Sequence, residues 1–149
     1  MRKIISALVM VLALTGSSLS STNFYSNNVS GWNIVGRDGY CVASNTQGPV
    51  TATIKVTGAF LGLKDLNLYL SNGNWKIPDA GKITVEGHEL QYQKLNSGTI
   101  LIAEVGSTLN DLSGHKALSI SSDFFSPFNF NVTNADKALE AFKVCVDKI

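Results

Sequence analysis

Residues 50–56 read Val-Thr-Ala-Thr-Ile-Lys-Val, and their pattern is the clearest evidence in the sequence for the fold class of the chain. Every second residue from Val50 to Val56 is apolar, and the residues between them are polar. That two-residue period predicts a strand with one buried face. The β-branched residues of the segment favour the same conformation.

Similar alternation extends in both directions from this strand. Trp32 and Ile34 flank a polar residue, and Leu66, Leu68 and Leu70 do the same farther along. About eight such segments follow one another at close spacing, which is typical of an antiparallel β protein. Turn residues separate them, and the clearest turns are Arg37-Asp38-Gly39, Asn72-Gly73-Asn74, Gly87-His88 and Asn96-Ser97-Gly98.

Two segments depart from strand spacing. Val105 to Leu112 carries apolar residues at helical intervals, which predicts a short internal helix. Residues 138–146 repeat apolar side chains at three- and four-residue spacing, so the chain should end in a helix, with Thr133 as its cap and Asp136 completing a capping box.

The predicted fold is mainly β: an antiparallel β-sandwich or small barrel with a short internal helix and a C-terminal helix packed on it. Each predicted core residue is an apolar side chain on the inward side of its element. They are Trp32, Ile54, Leu68, Leu70, Val85, Ile102, Phe130, Leu139 and Phe142.

The first residues have the pattern of a secretory signal peptide. Arg2 and Lys3 precede an apolar run from Ile4 to Leu14, and small residues follow. We expect a signal peptide over 1–20, a flexible polar lead-in over 21–30 and a single β-rich domain over 31–149. The mature protein should therefore be periplasmic or secreted, with no integral membrane segment after leader removal.

The charge of the mature chain argues against a nucleic-acid partner. The full chain has 12 basic and 11 acidic residues. Cleavage of the leader would remove Arg2 and Lys3, so the mature chain should be close to neutral. Its basic residues are scattered, whereas nucleic-acid binding requires a concentrated basic face. We therefore expect no nucleic-acid binding.

The only cysteines, Cys41 and Cys145, stand 104 residues apart. An exported chain meets conditions in which disulfides form and persist. We expect a structural disulfide between them, with Cα atoms roughly 4.4–6.8 Å apart. A reactive thiol pair is the alternative, but the cysteines lack the C-x-x-C spacing that favours it.

No pattern in the sequence predicts catalysis, a metal site or a cofactor. His88-Glu89 begins like a zinc-peptidase motif, but Tyr92 stands where the second histidine is required. His115 is the only other histidine, and the acidic residues are isolated. We therefore expect no enzyme activity, no bound metal and no cofactor.

Two apolar segments are candidate binding surfaces. Phe124-Phe125-Ser126-Pro127-Phe128 concentrates aromatic residues, and Phe60 lies in a glycine-bracketed apolar loop. Either segment could pack into the core, or it could form an exposed patch for a partner. As a strand or turn, the first segment should direct at least one of Phe124 and Phe125 outward. Phe60, Phe124 and Phe125 are the candidate binding residues.

A framework of spaced residues resembles a group of small exported proteobacterial domains. It comprises Gly31-Trp32-Asn33-Ile34, Cys41-Val42-Ala43, residues 68–76 and a closing Ala138-Leu139-Glu140-Ala141-Phe142 before Cys145. On these residues the chain is loosely similar to the invasion-associated locus B proteins. The resemblance implies a periplasmic or secreted β domain with a disulfide between its first strands and its last helix, and it carries over no catalytic residue.

The expected function is that of an exported, non-enzymatic binding or accessory domain that recognises a protein or an envelope component. Two alternatives are open: an inhibitor or immunity protein of an exported enzyme, and a small hydrolase with an unrecognised site. A cleft around a histidine would favour the hydrolase, and a rigid protruding loop would favour the inhibitor.

Overall fold

A computed structural model of the protein describes residues 23–58, 64–102 and 116–149. These ranges contain ten strands and one helix. The elements are β1 (Tyr25–Val29), β2 (Trp32–Arg37), β3 (Tyr40–Gln47), β4 (Val50–Gly58), β5 (Lys64–Ser71), β6 (Ala80–Val85), β7 (His88–Asn96), β8 (Thr99–Ile102), β9 (Ala117–Ser122), β10 (Phe125–Asn131) and α1 (Ala135–Val146). The signal peptide over 1–20, the internal helix over 105–112, Phe60 and His115 all lie outside the described residues.

All ten strands belong to one antiparallel sheet in the order β1-β2-β3-β4-β5-β8-β7-β6-β9-β10. The prediction of a mainly β, antiparallel domain with a C-terminal helix is confirmed. The sheet has two free edges, β1 and β10, so it is not closed into a barrel.

The sheet folds over until its two ends approach each other. The Trp32 ring on β2 lies 6.3 Å from the Phe130 ring on β10, measured between centroids. The side chain of Gln47, at the end of β3, forms hydrogen bonds with the backbone of Asn131 in β10. Apolar side chains on the inner face of this curl form one continuous core.

The sheet begins earlier than the sequence indicated. Tyr25–Val29 is a strand that pairs with β2 in register from Tyr25↔Gly36 to Val29↔Trp32, so the fold does not start at Gly31 as predicted. Ser30 and Gly31 connect the two strands with φ angles of 53° and 81°, a left-handed pair suited to a two-residue hairpin. The strand escaped prediction because its polar central residues face solvent on both sides and show no period.

The C-terminal helix buries one face against β1, β2 and β3. Ala135, Ala138, Phe142 and Cys145 form that face, as helical spacing requires. Leu139, predicted as a core residue, is only partly buried at its margin. The other eight predicted core residues are buried.

The predicted cap of this helix is wrong. Asn134 is the N-cap residue and has a left-handed backbone with φ 59°, and no side chain caps the helix. The Thr133 hydroxyl instead donates a hydrogen bond to the carbonyl of Lys116, at 3.3 Å. The bond links the end of β10 to the beginning of β9, and it takes the hydroxyl away from the first turn of the helix.

Cys41 and Cys145 form the predicted disulfide, with Cα atoms 6.1 Å apart, and both are fully buried. Gly36 makes room for it: a Cβ at this position would lie 2.8 Å from the Cys145 sulfur and 2.6 Å from the Phe24 ring. The disulfide therefore fixes the helix to β3 at a point where β2 approaches too closely for any side chain.

Candidate functional site

The interior of the curled sheet is filled by side chains. An apolar cavity between its two halves has a volume of about 20 Å³, and another beneath the helix has about 10 Å³. Each has room for little more than one water molecule. These cavities are too small for a ligand, so the surface grooves are the candidate sites.

The candidate residue Phe124 lies in the turn between β9 and β10. Its side chain is 46% exposed, so at least one of the two adjacent phenylalanines points outward, as expected. Its neighbour Phe125 begins β10 and is partly buried. The register between the strands shifts between Phe125 and Phe128, so this end of β10 is irregular.

An aromatic cluster supports the exposed turn. The Trp75 ring stacks on the Phe125 ring, with centroids 4.5 Å apart and planes 10° from parallel. The Phe128 ring lies 6.1 Å from Trp75 and 5.8 Å from Phe125. Trp75 comes from the segment between β5 and β6, so the cluster joins distant parts of the chain and holds the end of β10 in place.

A groove of about 370 Å³ runs beside β10, between its outer edge and the hairpin that joins β3 to β4. The aromatic cluster forms part of its wall, and the rest is apolar or carries amide and hydroxyl groups. The lining residues are Gln47, Pro49, Val50, Asn72, Trp75, Phe125, Ser126, Pro127, Phe128, Asn129 and Phe130. None of these side chains is ionisable. We call the groove that they line the β10 groove.

Gln47 separates the β10 groove from a second, polar groove. Its amide Nε2 donates to the Asn131 carbonyl at 2.6 Å, and its Oε1 accepts from the Asn131 backbone N–H at 2.7 Å. The second groove, of about 410 Å³, is lined by Ser30, Gly31, Asn45, Gln47, Asn131, Thr133 and Asn134. It too has no charged side chain.

The ion pairs of the described residues lie on β6, β7 and the segment before them. Lys94 contacts Asp79 at 2.7 Å, and Lys82 pairs with Glu89. The hydrogen bond from Lys94, with its positive charge, lowers the pKa of Asp79 below its usual value. None of these four residues lines the β10 groove.

The titratable groups that the sequence singled out do not converge. His88 is exposed at the start of β7 and lines none of the grooves or cavities described above. No group of three histidine, cysteine or acidic residues able to hold a metal occurs within residues 23–58, 64–102 and 116–149.

One buried polar group has no partner among the described residues. Tyr92 is 2% exposed, and its hydroxyl forms no hydrogen bond with any of them. Burial raises the pKa of this phenol, so it is neutral at physiological pH.

Gln47, Trp75 and Asn129 line the β10 groove and were not among the residues predicted to bind a partner. None of them belongs to a local motif that indicates a binding site. These residues are distant from one another in sequence. They line one groove only because the ends of β3 and β5 approach β10 in the folded sheet. The aromatic run at 124–128 was the one signal that indicated this region.

Comparisons with known proteins found no matching family model, no matching curated protein and no matching solved structure. No helix among the described residues has the length and apolarity needed to cross a membrane.

Proposed function

We propose that this chain is an exported, non-enzymatic binding domain that recognises a protein through the β10 groove and the adjoining Phe124. The observation that carries the proposal is the position of Phe124, which is 46% exposed beside an uncharged groove of about 370 Å³. Aromatic side chains next to a preformed groove are frequent anchors of protein interfaces.

The aromatic cluster suits Phe124 to this role. Trp75 and Phe125 stack at the start of β10, directly after the turn that carries Phe124, so this wall of the groove is packed before a partner arrives. A groove wall that is already packed loses little conformational entropy when a partner covers it.

Export to the periplasm or to the medium is part of the same proposal. The leader pattern over 1–20 supports it, and so does a fully buried disulfide, which persists in oxidising compartments. The resemblance to the invasion-associated locus B proteins also belongs to the proposal, because it implies an exported β domain of this kind.

The test compares Phe124→Ser with Leu95→Ser. Leu95 is an equally exposed apolar residue, at 52%, and lies on β7, outside the groove. The immobilised mature domain would be incubated with an extract of the source cell envelope, and captured proteins would be quantified by mass spectrometry. Thermal melts would first show that both variants fold.

We expect Phe124→Ser to lose specific captured proteins that the wild type and Leu95→Ser retain. A further variant, His88→Ala, should behave like the wild type. Equal capture by Phe124→Ser and the wild type would contradict the proposed surface. Loss confined to His88→Ala would favour the hydrolase alternative.

A further inference from the structure

The outer edge of β10 contains a residue, Asn129, whose backbone N–H and C=O point away from the sheet. In an antiparallel pair, the N–H and C=O of one residue point to the same side, and this side alternates along the strand. The Val132 N–H donates to the Lys116 carbonyl at 2.9 Å, so Val132 faces β9. Asn129 and Asn131, at odd offsets from it, therefore face outward.

The partner strand gives the same result independently. Asn129 lies opposite Ser119 in the register of β9 and β10. The Ser119 carbonyl accepts from the Glu86 N–H at 2.9 Å, and the Ser119 N–H donates to the Glu86 carboxylate. Both backbone groups of Ser119 are thus directed toward β6, and Asn129 has no ladder partner on β9.

Gln47 shows how this edge is completed one position farther along. Its primary amide makes a two-bond pair with the Asn131 backbone, as the peptide groups of a neighbouring strand would. Asn129 lies two residues away, about 7 Å along the strand. Its outward N–H and C=O have no hydrogen-bond partner among the described residues, and Asn129 is one of the residues that line the β10 groove.

We propose that the β10 groove binds an extended, uncharged polypeptide segment, which adds to the sheet as a short strand beside Asn129. This inference rests on the proposed function and names the form in which a protein partner is recognised. Strand addition of this kind takes affinity from backbone hydrogen bonds and specificity from alternate side chains.

The lining of the groove determines which segment fits. Because no lining residue is ionisable, a charged side chain entering the groove would lose hydration without meeting an opposite charge. Apolar side chains would instead contact Val50, Phe128 and the Trp75 cluster. The segment should be uncharged, with apolar residues at every second position. It should also be short, because Gln47 occupies the edge at Asn131 and Pro127 offers no N–H.

The probe is the capped heptapeptide acetyl-SVTFTVS-amide, together with a copy that carries N-methyl groups on alternate residues and therefore cannot complete a ladder. Binding to the full mature domain would be measured by isothermal titration calorimetry, and amide hydrogen exchange would be followed by NMR. Protection of the Asn129 amide by the parent peptide, and not by the N-methylated copy, indicates strand addition, because the two peptides carry the same side chains.

The matched variants are Asn129→Ala, which keeps the backbone N–H, and Asn129→Pro, which removes it. Proline is tolerated at an outward-facing position of an edge strand, so both variants should fold. We expect the heptapeptide to slow exchange at Asn129 of the wild type about tenfold or more. Asn129→Pro should bind it about tenfold or more weakly than Asn129→Ala does, and the wild type should bind the N-methylated peptide about tenfold or more weakly than the parent peptide.

Three results would overturn the inference. The first is absence of Asn129 protection at saturating heptapeptide, and the second is equal binding of the parent and N-methylated peptides. The third is a concentration-dependent dimer of the free domain that Asn129→Pro abolishes, because such a dimer would show that a second copy of the chain occupies this edge. The exchange measurement on the wild type decides the question even if Asn129→Pro fails to fold. If Phe124→Ser still abolishes capture while Asn129 stays unprotected, the proposed function stands and strand addition fails.

Discussion

The Gln47 amide is the point at which the two ends of the folded sheet are joined by side-chain hydrogen bonds, and its removal gives a sharp test of the fold. Gln47→Ala deletes the bonds of 2.6 and 2.7 Å to the Asn131 backbone. A neutral hydrogen bond contributes about 1 kcal/mol, and water can replace part of the loss at this half-buried site. We expect the free energy of unfolding to fall by about 1–2 kcal/mol.

Urea denaturation followed by circular dichroism would measure this change. With a slope of about 2 kcal/mol per M, the expected loss lowers the midpoint by about 0.5–1 M and leaves the slope unchanged. Gln91→Ala is the matched control, because Gln91 is exposed on β7 and its side chain makes no hydrogen bond with the described residues. Its midpoint should stay close to that of the wild type.

A second variant separates the hydrogen bonds from the volume of the side chain. Gln47→Glu keeps the length, but at neutral pH it places a carboxylate oxygen against the Asn131 carbonyl, so it should destabilise at least as much as Gln47→Ala. In both variants the Asn131 amide should exchange faster than the loss of global stability accounts for, while the Val132 amide, bonded to Lys116, should change by no more than that loss. The reasoning fails if Gln47→Ala matches Gln91→Ala, or if Gln47→Glu is as stable as the wild type.

Two further predictions concern the helix and its attachment. Replacing Cys41 and Cys145 together by alanine should lower the free energy of unfolding by about 2–5 kcal/mol, because the disulfide closes a loop of 104 residues. Reductant should destabilise the wild type and leave the melt of this variant unaltered. A variant as stable as the wild type would contradict a structural role for the disulfide. Phe142→Ala should lower the free energy of unfolding by about 3–5 kcal/mol in chemical denaturation, because this residue is only 5% exposed. Val144→Ala, at a residue 49% exposed on the same helix, should change it by less than about 0.5 kcal/mol. Similar values for the two variants would show that the apolar face of α1 does not pack against the sheet.

The expectations that held were those fixed by local chemistry. Residues 50–56 form β4 with alternating burial, and Leu68 and Leu70 are buried on β5, because a two-residue period can bury apolar side chains only by forming a strand. The apolar face of α1 carries Cys145 inward to Cys41 for the same kind of reason, since helical spacing fixes which side chains share a face.

The expectations that failed were those in which backbone pairing or a competing hydrogen-bond acceptor decided the outcome. Tyr25–Val29 has no apolar period, yet it pairs with β2 because backbone groups, not side chains, form the ladder. Thr133 matches a capping residue in its sequence, but the neighbouring β9 offers its hydroxyl the Lys116 carbonyl. The partner of Tyr25–Val29 is the adjacent strand and that of Thr133 lies 17 residues away, but neither pairing leaves a side-chain pattern in the sequence.

Sequence patterns were therefore sufficient to predict the strand-rich class, the closing helix and the disulfide, because each depends on periodicity or on the presence of only two cysteines. The tertiary structure alone decided that the sheet folds over, that Trp75 stacks beneath Phe125, and that Gln47 pairs with Asn131 while Asn129 stays open. Those contacts depend on how far the strands twist and on which edges meet, and both are properties of the whole sheet rather than of any segment within it.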